Sequence, residues 1–131
     1  MKKRALLLTL SFLLAFVFTG GYQVLAATAK ENYEWYCTQC HGLKGTGDGP
    51  NARPSKYGIK QPDMSVTPRN HTSPKDMNKL SDEDIRLAIK DGGKAVSKSA
   101  LMPPFGKTLT EKEIDELVKY LRKLCKCKGK E

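Results

Sequence analysis

Residues 37–41 read Cys-Thr-Gln-Cys-His. Two thiols separated by two residues, with an imidazole directly after them, allow three chemistries. Joined by a second pair of thiolates they could hold a tetrahedral zinc ion, and Cys125 and Cys127 supply such a pair. As a plain C-x-x-C pair they could run thiol–disulfide exchange. As C-x-x-C-H they could fasten a haem covalently. In that case the gap of one helical turn lets two sulfurs reach two vinyl groups on one porphyrin edge, and the adjacent histidine turns its imidazole toward the iron.

Each chemistry asks something different of the surrounding elements. Exchange chemistry expects the motif at the N-terminus of a helix inside a βαβ pattern. Here Tyr33, Tyr36, Cys37 and Cys40 follow the i, i+3, i+4, i+7 spacing of one helical face. That spacing predicts a helix over residues 29–41, with the motif closing it. Gly42, Gly45, Gly47, Gly49 and Pro50 then impose irregular backbone. Residues 51–79 hold four prolines and almost no periodicity, so they read as a long loop, and loops of that length usually serve a function.

Two further helices are well marked. Ser81 and Asp84 form a capping box, Leu80 can staple onto Ile85, and Ile85, Ala88 and Ile89 make the buried face. Gly92-Gly93 ends that helix. Thr110 and Glu113 repeat the box with Leu109 and Ile114 as the staple, and Ile114, Leu117, Val118, Leu121 and Leu124 keep helical spacing. No stretch reads convincingly as a strand, so the fold class is all-α with long ordered loops. Three short helices enclose little by themselves. Such loops need an apolar body to wrap, which favours a bound cofactor over zinc. A zinc site would also draw its two thiol pairs from opposite ends of the domain, so it stays as the weaker rival.

The totals set the frame. The chain has 131 residues, 39% hydrophobic and 28% charged, enough for one domain with a modest core. Residues 1–26 read as a secretory signal: Lys2, Lys3 and Arg4, then an apolar run over 5–18, then small residues with cleavage after Ala26 or Ala29. The competing reading is an uncleaved membrane anchor, because residues 5–21 carry no charge. No cysteine stands at the end of the apolar run, which argues against a lipoprotein site. The organisation expected is a signal at 1–26, one domain at 27–124 and a basic, cysteine-containing tail at 125–131. Export places the thiols where they are paired or otherwise occupied. Basic residues outnumber acidic ones by 23 to 14. Lys119, Arg122, Lys123, Lys126, Lys128 and Lys130 form a cluster that reads as a solvated face or as a steering surface for an acidic partner. Nucleic acid does not suit an exported chain of this kind.

The run CTQCHGLKGTGDGP, followed much later by ALMPPFGKTLTEKEIDELVKYL, resembles the class I (mono-haem) cytochrome c family. The resemblance covers about residues 29–124. It implies a small helical globule, with N- and C-terminal helices crossing beside one covalent haem c and loops wrapped around it. Carried over position by position, Cys37 and Cys40 become the thioether residues, His41 the proximal ligand and Met102 the distal ligand. The same resemblance gives Pro50 a carbonyl that accepts from the His41 Nδ1–H, and puts Ala29 and Tyr33 at the helix crossing. Met102 lies between a loop and Pro103-Pro104, which limit backbone freedom. Among the other donors, Met64 reads as core lining, Met77 as a loop residue and His71 as a surface histidine. Of Trp35 and Tyr36, one is expected on the core and one outside.

The function implied is one-electron transfer in the periplasm or another extracytoplasmic compartment, without catalysis. A haem-based sensor, or a haem subunit of a larger oxidoreductase complex, is the alternative. Redox proteins with an acidic docking face are the partners implied, with the membrane involved only if residues 1–26 are retained. Cys125 and Cys127 depart from the family pattern. The expectation is a local disulfide between them, which needs the last helix to end there; an intermolecular bridge and free thiols are the rivals.

Overall fold

The first described helix starts from Thr28, whose hydroxyl accepts from the Glu31 amide while the Glu31 carboxylate accepts from the Thr28 amide at 2.7 Å. This reciprocal cap satisfies donors that a helix start leaves open and launches α1, Ala29–Tyr36. The computed structural model describes residues 26–52 and 67–130. The expected signal at 1–26 and Met64 therefore fall almost wholly outside the described residues.

The helix predicted over 29–41 is present but broken. After α1 the chain pauses at Cys37 and resumes as α2, Thr38–His41. The break has a local cause. The Thr38 hydroxyl donates to the Glu34 carbonyl at 2.7 Å, and such i−4 back-bonding bends helices. A short 3-10 turn, Pro50–Ala52, ends this first described segment.

The first helix of the second described segment is α3, Pro74–Met77, capped by Ser73 with proline at the first helical position. It lies in the stretch read as loop, and Met77 within it is 1% exposed, a core residue rather than a loop residue. Then come α4, Asp82–Asp91, a 3-10 turn at Gly93–Val96, and α5, Glu111–Cys125. Both expected capping boxes form. No strand occurs among the described residues, and the fold is all-α, as the sequence implies.

The core is built along α5, which packs against both α1 and α4. Tyr33, Ile85, Ile89, Ile114, Leu117, Val118 and Leu121 are buried in it. Fully burying one such aliphatic side chain contributes roughly 1.5–3 kcal/mol, so the α5 stripe dominates. The α1–α5 crossing puts the Tyr33 and Tyr120 rings 5.3 Å apart and lets Asn32 Nδ2 donate to Glu113 at 3.4 Å. Ala29 packs against the same core. Arg86 joins α4 to α5 by pairing with Glu111 and Asp115.

The C-terminal residues fold back onto the domain. Helix α5 ends at Cys125, and Lys126 takes a left-handed conformation. Cys125 and Cys127 are joined by a disulfide, as expected. Gly129 then donates to Asn78 Oδ1 and Lys130 to the Leu80 carbonyl. The cluster of basic residues is not one solvated face. The Arg122 side chain is 11% exposed and its guanidinium donates to Asp82, to the Met77 carbonyl and to the Leu80 carbonyl. It is an internal tie between α5 and the α3–α4 connection.

Candidate functional site

A cavity of about 400 Å³ opens between α1–α2 on one part of the chain and α4, α5 and the loop around Met102 on the other. Tyr33, Tyr36, Cys37 and Cys40, the face read from helical spacing, all line it, and so do His41 and Met102. Residues more than sixty positions apart are thus gathered on one largely apolar chamber. Its volume falls within the ~300–1,000 Å³ usual for small-molecule and cofactor sites.

His41 is held at the end of α2. Its Nδ1 lies 3.0 Å from the carbonyl oxygen of Arg69. A carbonyl can only accept, so Nδ1 carries the proton and the Nε2 lone pair is left for a ligand. Burial lowers the His41 pKa, with the Arg69 carbonyl bond working against that shift. The imidazole is therefore neutral, the form that binds metal.

The carbonyl partner expected from Pro50 is thus Arg69 instead. The loop of residues 42–50 spends its own groups on the α2 backbone: Gly47 N–H donates to the His41 carbonyl at 2.8 Å and Gly49 N–H to the Cys40 carbonyl at 3.1 Å. Gly49 lies so close that a Cβ would come within 2.5 Å of the Thr38 and Gln39 carbonyls. Pro50 follows that seam, exposed and off the cavity lining. The 67–71 segment approaches the ring from elsewhere and supplies the acceptor.

Cys37 and Cys40 both carry free thiols. Burial, with a lesser contribution from Cys40, pushes the Cys37 thiol up to about 12. An exchange-active cysteine needs the opposite shift, which argues against the oxidoreductase reading. The zinc reading fails too, because Cys125 and Cys127 are bonded to each other. Among the described residues, no group of three or more His, Cys, Asp or Glu could hold a metal ion by itself.

Met102 reaches the cavity from the loop between the Gly93–Val96 turn and α5. Its carbonyl accepts from Gly93 at 3.0 Å and its amide donates to Ser99 at 3.3 Å. Three residues on, Phe105 N–H donates to the Ile89 carbonyl at 3.0 Å. A Cβ at Gly93 would meet the Ser99 carbonyl and come within 3.1 Å of Met102 Cβ, so the turn needs glycine there.

A model of the family described as cytochrome c oxidase, cbb3-type, subunit III matches residues 24–121. The chain belongs to that family of c-type cytochromes. Solved structures agree. A structure described as KustC0563 c-type cytochrome superposes with a TM-score of 0.51 at 26% identity, over 75% of this chain and 98% of that one. A chain of the Kuenenia stuttgartiensis reducing HAO-like protein complex Kustc0457/Kustc0458 superposes with a TM-score of 0.54 at 29% identity, over 73% of this chain and 41% of that one. No curated protein matches. Membership in a c-type cytochrome family implies covalently bound haem c and a role in electron transfer, and the two thiols, neutral imidazole and thioether on one apolar cavity suit that group.

Sequence reasoning missed two participants in this c-type cytochrome site. Arg69 acts through its backbone carbonyl, which any residue carries, so no side-chain pattern marks it. His71 was read as a surface residue, yet it is 8% exposed. Its ring stacks on His41 with centroids 4.0 Å apart and planes 18° apart. Because its imidazole lies flat on the His41 ring, His71 sits beside His41 and not opposite it across the cavity. Trp35 is 79% exposed, and Tyr36, 40% exposed, leans on Phe105 with ring centroids 5.6 Å apart.

Proposed function

We propose that the protein is an extracytoplasmic one-electron carrier holding a single haem c, exported by residues 1–26. Cys37 and Cys40 supply the two thioether links, His41 the proximal nitrogen and Met102 the distal sulfur. The observation that carries this reading is the convergence of these four side chains on one cavity, with His41 Nδ1 tied to the Arg69 carbonyl.

The haem, when bound, accepts and returns one electron. The chain's own residues do the rest. The Arg69 carbonyl fixes the His41 tautomer and makes the nitrogen a stronger donor. The loop of residues 97–105 carries Met102, and a thioether opposite an imidazole raises the reduction potential. Ile85, Ile89, Leu117 and Leu121 keep water from the cavity wall. Lys79, Lys98 and Lys130 stand exposed at the cavity, so a partner with an acidic face would be steered to the place where the electron leaves. No residue here is assigned a catalytic role.

A second reading is a haem-bearing subunit within a larger oxidoreductase complex. It is favoured by the likeness to a chain of the reducing HAO-like protein complex. Both readings share the attachment chemistry. Mass spectrometry of denatured, exported protein tests it: the wild type should retain the mass of one haem, Cys37→Ala should retain it through one link, and the double variant with Cys40→Ala should lose it. Retention by the double variant contradicts the assignment.

A further inference from the structure

The hydrogen bond from His41 Nδ1 to the Arg69 carbonyl holds one edge of the ring. It does not fix the plane, because the torsion that turns an imidazole about its bond to Cβ is broad. The structure supplies a second contact, on the face. His71 follows Arg69 by two residues, and its ring lies nearly parallel to that of His41 at 4.0 Å.

His71 is itself held from three directions. Its Nδ1 lies 3.0 Å from the Tyr33 hydroxyl, and the two rings meet edge-on at 5.8 Å. Its amide donates to the Gly45 carbonyl at 2.6 Å. Gly45 is packed against the pair: a Cβ there would come within 3.1 Å of the Tyr33 hydroxyl and 3.4 Å of His71 Cβ. Gly45 also has φ +77°, which suits glycine. Tyr33 is 1% exposed in the α1–α5 crossing, so the position of His71 is referred to the rigid core.

A residue that only filled space here would need volume and no nitrogens. An aliphatic side chain gives that without desolvating a polar ring. The chain instead buries an imidazole, matches its nitrogen with a phenol from α1 and lays it flat on His41. We infer that His71 is a positioning residue for His41, setting the plane in which the proximal imidazole meets the haem, an inference that rests on His41 being the proximal ligand. The segment 69–71 then clamps the ligand twice, by edge and by face, and Tyr33 anchors the second clamp.

The plane of an axial imidazole governs how unpaired spin spreads over a ferric haem, and proton NMR reads this in the order and spread of the haem methyl resonances. In the full holoprotein, His71→Leu should shift and reorder those resonances while the absorption spectrum keeps its axial-ligand pattern. His71→Phe, which restores a flat ring, should move them back toward wild type; a space-filling role would leave Leu and Phe alike. An unchanged methyl pattern in His71→Leu overturns the inference. If that variant yields no holoprotein, Tyr33→Phe is read the same way: a shifted pattern supports the clamp, and an unchanged one overturns it. The underlying ligation is judged separately. If His41→Ala keeps the wild-type spectrum, His41 is not the ligand, and that failure is distinct from a silent His71 substitution.

Discussion

The two ends of the cavity hold their candidate ligands by different means. His41 is fixed through its side chain, with the Arg69 carbonyl on one edge and His71 on one face. Met102 is fixed through its backbone: the Gly93 and Ser99 hydrogen bonds place the residue, while a thioether has only weak acceptor capacity with which to be held. The two candidate ligands therefore divide the work. The proximal side is a stack of interlocked groups, tied to the α1–α5 crossing through Tyr33. The distal side is a loop whose shape decides where one flexible side chain arrives. Damage to the proximal side should cost the cofactor, whereas damage to the distal side should cost only the bond.

The largest effect expected is therefore at the proximal end. His41→Ala should leave little stable holoprotein, and the apo chain should lose its cooperative thermal transition, because the loops would no longer have a body to pack on. Haem content and a melting curve check this. A folded His41→Ala apo protein with a sharp transition would show that the helical core stands without the haem.

A smaller effect is expected at the distal end. Gly93→Ala adds a Cβ against the Ser99 carbonyl and Met102 Cβ, and overpacking of this sort costs about 1–3 kcal/mol. The loop should yield before the core does. The variant should keep its full haem content, while the near-infrared sulfur-to-iron band of the oxidised protein fades at a temperature well below global melting. Simultaneous loss of band and fold would erase the distinction between the two ends.

What the sequence discloses follows the same division. Helices α4 and α5 were readable because their signals are local: a Ser or Thr cap, an acidic residue three positions on, and apolar residues at helical spacing. The face Tyr33, Tyr36, Cys37 and Cys40 was readable for the same reason, although the Thr38 back-bond that splits the helix at Cys37 was not anticipated. Residues whose role depends on distant chain were misread. Met77 and His71 sit in a stretch without periodicity, so nothing nearby signals their burial. Ser73-Pro74 carries a cap and a first-turn proline for α3. Arg122 stands in a run of lysines that resembles a solvated face, but three acceptors from the α3–α4 region draw it inward. Pro50 was assigned by the resemblance, and the actual acceptor comes from a segment that no spacing rule connects to His41. Leu124 continues the apolar stripe on paper, yet it is only half-buried while the next residue, Cys125, is 1% exposed.

If Met102 closes the sixth position, as proposed, the site is a carrier. Carbon monoxide uptake by the reduced protein at neutral pH tests it most directly, because the gas needs an open iron. Slow and incomplete uptake is expected of the wild type, and prompt, stoichiometric uptake once Met102→Ala removes the thioether. Prompt, stoichiometric uptake by the wild type would contradict it and would mark the site as one that binds ligands rather than one that only passes electrons.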